Sequence, residues 1–185
     1  MIEMPDKLIE EISSRNHQKV LLIAIDGAGG AGKTTAAEEL ALKLGDVQIL
    51  HIDDFYKPKE ERIEITEQTP VHSNFEFDRL KHQVFEPLDN LTIASYQTSD
   101  GNSAVIQPSR YVVVEGLGTL GEELRNYFDY KIWIDSSEAV RRQRGIERDS
   151  VDWAGIWDNE YIPQDARYIR EQAPQRVADW ILYNS

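Results

Sequence analysis

Apolar residues along this chain follow two rhythms, and each rhythm predicts a different element. Short apolar runs occur at Val20–Ile25, Val47–Ile52, Tyr111–Val114, Tyr130–Ile134 and Ala178–Tyr183. Such runs suit strands buried on both sides, the first of them over about 19–26. The intervening segments carry helical spacing. Residues 5–16 put Leu8, Ile9 and Ile12 on one side of a short polar helix, expected on the outside of the domain. Residues 33–44 are rich in helix formers and close at Gly45, a good C-cap. Phe77, Leu80, Val84 and Phe85 are spaced for a helix that Pro87 ends. Another helix is expected to run to about residue 149, with Asp135 as N-cap and Glu138 three residues on. The last covers about 159–172 and stops before Pro174. Residues 57–74 carry Pro58, Pro70 and many charges without a period, so they read as loop with one helical turn. Leu91–Tyr96 and Ala104–Ile106 flank the turn-rich Ser99–Ser103, a hairpin signal. Five apolar strands alternating with helices imply an α/β three-layer fold, a parallel five-stranded sheet with helices on both faces. No repeat or linker interrupts the pattern, and residues 1–185 read as a single domain.

Between the first strand and the second helix lies Gly27-Ala28-Gly29-Gly30-Ala31-Gly32-Lys33-Thr34, a full match to the phosphate-binding P-loop pattern, followed by Thr35. Strand, glycine loop and helix in that order aim backbone N–H groups and a positive helix end at one spot, where a polyphosphate can sit. Lys33 is expected to reach the β- and γ-phosphates, and the Thr34 hydroxyl to ligate Mg²⁺. The sequence therefore predicts a P-loop NTPase fold that binds a nucleoside triphosphate.

Composition narrows the partners. The net charge is −13, the reverse of what nucleic acid or an anionic membrane selects. No apolar run approaches a membrane span, and the N-terminus lacks a secretion-signal pattern. There are no cysteines, which removes disulfides and thiolate chemistry and fits a cytoplasmic location. A homo-oligomer is compatible with all of this.

In open parallel sheets ligands gather at the carboxyl ends of strands. Asp53 and Asp54 follow the second strand and Glu115 follows Val112–Val114. Glu115 is assigned to Mg²⁺ opposite Thr34, the alternative being a cap on the following turn. An Asp at 53 or 54 can accept the proton of an attacking hydroxyl, or the pair can be a solvated turn. Arg141, Arg144 and Arg148 fall on one helix face and can balance charge on a transferred phosphoryl group. Arg142 reads instead as an ion pair with Glu138, four residues earlier.

These pieces, in this order, resemble the uridine kinase family of P-loop nucleoside kinases, related to the nicotinamide riboside kinase and phosphoribulokinase groups. The resemblance runs through 27–34, His51–Pro58, Asn74–Glu76, Tyr96, Val112–Gly116, 131–149 and Ala178-Asp179. It implies ATP and Mg²⁺ as cofactors and Asp53 as the catalytic base. It implies that Tyr56, Phe75 and Tyr96 contact a nucleoside whose ribose hydroxyls Glu76 holds, and that Arg148 closes over the phosphates. Taken alone, those aromatics read as core residues. Two departures separate this chain from the family pattern. The aromatic and His expected after Tyr96 are replaced by Gln97–Gly101, and the glycine-arginine lid after Asp149 by Ser150–Trp157. The chain thus looks like a divergent bacterial branch, a kinase for a nucleoside such as uridine or cytidine or a similar hydroxyl compound. Trp153 and Trp157 either cover the site or pack the last helix. The competing class is a switch-type regulatory P-loop NTPase. Against it, no Asn-Lys-x-Asp sequence is present, and the D-x-x-G at Asp152–Gly155 comes too late and follows no strand.

Overall fold

Alternation within the strands organises the molecule, described here for residues 2–15 and 18–185 of a computed structural model. In β1 (Leu21–Asp26), Leu21, Ile23 and Ile25 join one apolar cluster while Leu22 and Ala24 join another. β5 (Tyr111–Glu115) divides its side chains in the same way. With β2 (Val47–His51), β6 (Tyr130–Asp135) and β7 (Trp180–Tyr183) they form one sheet in the order β2-β5-β1-β6-β7, every neighbouring pair parallel. The register sets Ile25 and His51 on either side of Glu115, so these strands end along one edge.

Helices α1 (Asp6–Ser13) and α2 (Lys33–Leu44) cover one face. The outer helix α1 buries Leu8 and Ile12 completely, each worth about 2 kcal/mol. The helix ends at Ser13 with Ser14 as its C-cap, short of the expected end at residue 16, which itself lies outside the described residues. The opposite face packs on a helical run over 77–89, here α3, and on Tyr168 of the last helix. The hairpin of β3 (Ala94–Gln97) and β4 (Ser103–Ile106) stands apart from the main sheet. α4 (Glu138–Asp149) and α5 (Ile162–Gln172) follow β6.

The structure corrects three boundaries. Asp135 is not the N-cap of α4: it stays in β6, opposite Tyr183, and Ser137 caps by accepting the Val140 N–H. Pro87 does not end its helix. A π-turn over Lys81–Phe85 precedes it, and this wider turn accommodates a residue with no N–H, so the helical run continues to Asp89. The final helix begins as irregular turns over 151–161, including a π-turn at Trp157–Tyr161, with α5 proper starting at Ile162. Within 57–74 the one helical turn is Lys59–Glu61.

Candidate active site

Gly27–Thr34 joins the end of β1 to the start of α2. Two glycines are obligatory. Gly30 has φ +74°, and a Cβ there would lie 2.4 Å from the Arg141 carbonyl oxygen. Gly32 has φ +97°, and a Cβ would lie 2.4 Å from Asn184 Nδ2. Asn184 props the loop from behind, donating to the Ala31 carbonyl at 2.7 Å while its own N–H bonds to Asp135 O at 2.8 Å. Gly27 and Ala28 are buried, and Lys33 Nζ donates back to the Ala28 carbonyl at 3.2 Å. Thr34 and Thr35 are exposed in the first turn of α2. Among the described residues, the N–H groups of Gly30, Gly32, Lys33 and Thr34 have no protein acceptor. Together with the helix end they make a cradle of donors for an anion.

Beneath the loop lies Asp26, a carboxylate with no exposed surface. It accepts from Gly27 N (2.7 Å), Leu120 N (2.7 Å), Gly118 N (3.2 Å) and the Tyr168 hydroxyl (2.6 Å). Burial pushes its carboxyl up, and these bonds pull it back. Its signal in the sequence is a lone acid between an apolar strand and the glycine loop.

On the open side, the Thr34 hydroxyl donates to Glu115 Oε1 at 3.1 Å, and the same oxygen lies 2.5 Å from His51 Nδ1. The Glu115 bond raises the His51 pKa, so the ring favours its charged form there. Thr34 and Glu115 offer hydroxyl and carboxylate oxygens, the donors a hard cation selects. No group of three or more His, Cys, Asp or Glu among the described residues makes a complete protein cage. A hard cation on the Thr34–Glu115 pair would fill the rest of its shell with water and substrate oxygens. Asp53 stands next to this group, open to solvent, with no hydrogen bond on its side chain among the described residues. Surrounding protein raises its pKa while Lys33 draws it down.

The remaining positions named from the sequence lie together. Tyr56 and Phe75 form an isolated bridge with ring centroids 4.0 Å apart, and Phe55 stacks on Tyr96 at 4.9 Å. Phe75 and Tyr96 belong to the core cluster; Tyr56 is half-buried against it. The Tyr96 hydroxyl donates to Asp54 Oδ2 at 3.0 Å. Glu76 is held by Arg79 at 2.8 Å, and Arg79 also donates to Gln97 O (2.6 Å) and Asp54 O (3.2 Å). Arg79, which sequence reasoning missed, thus ties the hairpin to the Asp53-Asp54 turn. An open groove of about 1020 Å³ runs past Tyr56, Glu76, Arg79 and Tyr96.

The arginines of α4 do not form a free stripe. Arg141 is buried and bonds to Asp165 Oδ2 at 3.0 Å; the same oxygen accepts the Gly29 N–H at 2.8 Å. Arg144 reaches Asn184 O and Oδ1, both at 3.4 Å. Arg148 is exposed, pairs with Asp149 at 2.7 Å and lies 6.0 Å over the Trp157 ring. Arg142 pairs with Asp158, not Glu138, because the irregular turns bring Asp158 alongside α4. Trp157 is buried against Gly145 and Gly29, and its Nε1 donates to Asp149 at 3.1 Å. Trp153 is 42% exposed. Asp165 had no signal in the sequence, since its partner lies 136 residues away.

A family model described as phosphoribulokinase / uridine kinase matches residues 22–155, from β1 through the turns after α4. The chain belongs to this family. Among its relatives, a uridine kinase of Lactobacillus helveticus is 29% identical over 89% of this chain and 87% of its own. A uridine kinase of Geobacillus kaustophilus is 31% identical over 86% and 81%. A solved Bacillus stearothermophilus structure, described as a possible uridine kinase, superposes with a TM-score of 0.71 at 22% identity, covering 95% of each chain. A D-glycerate 3-kinase of Cryptococcus neoformans gives 0.57 at 12% identity over 93% and 84%. At those identities the two structures speak to fold alone. Family membership supports ATP-dependent phosphoryl transfer with a divalent metal. Among the described residues no helix is long and apolar enough to cross a membrane.

Proposed function

We propose that this protein is a Mg²⁺·ATP-dependent kinase that phosphorylates a hydroxyl of a nucleoside such as uridine or cytidine, or of a similar small molecule. The observation that carries the reading is the convergence of three chemistries at one sheet edge. They are a cradle of unpaired amides with Lys33, the Thr34–Glu115 oxygen pair, and the free Asp53 carboxylate. The loop amides and Lys33 bind the triphosphate of ATP and meet its charge. Thr34 and Glu115 would hold Mg²⁺, which would supply positive charge against the phosphates. Asp53 orients the acceptor hydroxyl and takes its proton as the oxygen attacks the γ-phosphorus; ADP leaves. Arg144 and Arg148 balance charge on the transferred group, and to reach a phosphate Arg144 must leave Asn184 and Arg148 must leave Asp149. Tyr56, Phe75 and Tyr96 contact the acceptor, and Glu76 holds its vicinal hydroxyls once Arg79 shares it. Residues 1–185 act as one domain.

The test is Mg²⁺-dependent ADP release from ATP against a panel of ribonucleosides and small alcohols, with Lys33→Ala as the blank. Strong stimulation by one acceptor, lost in the blank, is the expected result and names the substrate. Slow release indifferent to every acceptor removes the kinase reading in favour of a nucleotide-binding module.

A further inference from the structure

The Gly29 peptide is gripped on both sides. Its N–H donates to Asp165 Oδ2 at 2.8 Å, and its carbonyl faces Arg141 Nη1 at 3.4 Å. The two gripping side chains are themselves a salt bridge of 3.0 Å, with 9% and 4% of their side-chain surface exposed. A buried pair of this kind is a poor source of stability, because desolvating both charges offsets their attraction. It is a good source of geometry, since neither partner can move without leaving the other unpaired. The rest of the loop contrasts with this point, because the cradle amides at Gly30, Gly32, Lys33 and Thr34 are left free of protein acceptors. Gly29 is therefore the residue where the loop is anchored just before its open donors begin.

The elements carrying the grip explain how it is held. Asp165 lies in the first turn of α5, and Tyr168, three residues on, bonds to Asp26 under the same loop at 2.6 Å. Arg167 of the same turn donates to Thr66 O and Thr69 O, both at 2.6 Å. α5 is thus pinned to the loop, the strand end and the 62–74 segment at once. The Trp157 ring lies against Gly29 from the adjoining turns and excludes water from the ion pair.

We propose that Asp165 is a positioning residue for the nucleotide: through Gly29 and Arg141 it fixes the shape of the phosphate loop, without touching the phosphates itself. This rests on the kinase reading above. It extends that reading by making ATP affinity depend on a side chain of the C-terminal helix. The opposite reading is that Asp165 stands in for a phosphate and must be displaced when ATP enters. The two readings predict opposite signs. Removing an anchor weakens ATP binding, whereas removing a competing anion tightens it.

The experiment measures ATP binding by calorimetry, steady-state KM for ATP and for the acceptor, and thermal melting, on wild type, Asp165→Asn and Asp165→Glu. Asn keeps an acceptor for Gly29 but loses the charge that holds Arg141. Glu keeps the charge, so the buried Arg141 stays neutralised and the chain folds, but its extra methylene displaces the grip. The expected result is a rise of about tenfold in both Kd and KM for ATP in each variant, with KM for the acceptor at saturating ATP changed less than twofold. Unchanged ATP affinity, with or without a lower melting temperature, overturns the proposal and leaves Asp165 a structural residue. Tighter ATP binding in Asp165→Asn overturns it in favour of a competing anion. A wild type that binds ATP but never turns over with any acceptor defeats the kinase reading while leaving this binding comparison intact.

Discussion

At the scale of single residues, two carboxylates and a histidine divide the labour by what surrounds them. Asp26 is fully bonded and holds the backbone, whereas Asp53 has no such bonds among the described residues and is the group proposed to take the proton. Replacing Asp53 by Asn is expected to leave ATP affinity within twofold and to lower turnover by about 10²-fold, the scale of lost general-base assistance. Calorimetry and ADP release on the same preparation check both halves. His72 makes a different prediction. Its Nε2 is buried without a partner among the described residues, between T-shaped contacts to Phe75, Phe77 and Tyr168, and burial alone lowers its pKa to about 4. The unfolded chain binds a proton at this ring below pH 6.5, and the folded chain does so only near 4. Its contribution is therefore intact above pH 6.5 and lost as pH falls towards 4, by up to about 3 kcal/mol. Urea unfolding at pH 7 and pH 4.5 is expected to show a smaller acid loss in His72→Phe than in wild type.

At the scale of elements, what the sequence reveals depends on how local the deciding contact is. The P-loop and α2 are contiguous, and their predicted bounds match the structure, with Gly45 at the C-cap as expected. Asp135 as N-cap failed because the carbonyl of Asp135 is claimed by Asn184 and the residue itself by Tyr183, both far along the chain. Pro87 as a stop failed because a π-turn leaves no periodic mark in seven or eight residues. Arg142 found Asp158 across a turn rather than Glu138 along its own helix for the same reason. One element-scale feature can be tested directly. Gly145 sits mid-helix in α4, where an exposed Gly→Ala change stabilises by about 1 kcal/mol. Here the added Cβ would fall 2.1 Å from the Trp157 ring, so the ring must leave its pocket. Overpacking of that severity costs about 1–3 kcal/mol, and losing the Trp burial adds to it. Gly145→Ala is therefore expected to be destabilised by about 2–4 kcal/mol in urea titrations, with tryptophan emission shifted to the red.

At the scale of the whole molecule, a chain of net charge −13 is proposed to bind a polyanion. The field of the protein opposes that ligand, so the affinity has to come from the short-range donors of one loop. Mg²⁺·ATP at a hundredfold excess over Kd is expected to add about 2.7 kcal/mol of stability, raising the melting temperature by roughly 5–10 °C. Lys33→Ala should lose most of that shift while melting normally without nucleotide. The strand pattern made the sheet and its layers legible. It gave no view of the site's support, because Asp26, Arg79 and Asp165 act through partners that only the folded topology brings near.

Asn184 carries a consequence for the order in which the protein matures. Strand, glycine loop and helix α2 are all complete once residue 44 has been made, and a chain stopping well short of residue 184 contains the whole phosphate-binding motif. The prop behind Ala31 and Gly32 comes from 153 positions after the residue it holds. It arrives only when β7 adds to β6. Sequence-distant pairings of this kind form late. On a ribosome, the loop would therefore exist as sequence long before it existed as a binding surface, and the nascent chain would gain its full grip on nucleotide only after residue 184 had emerged.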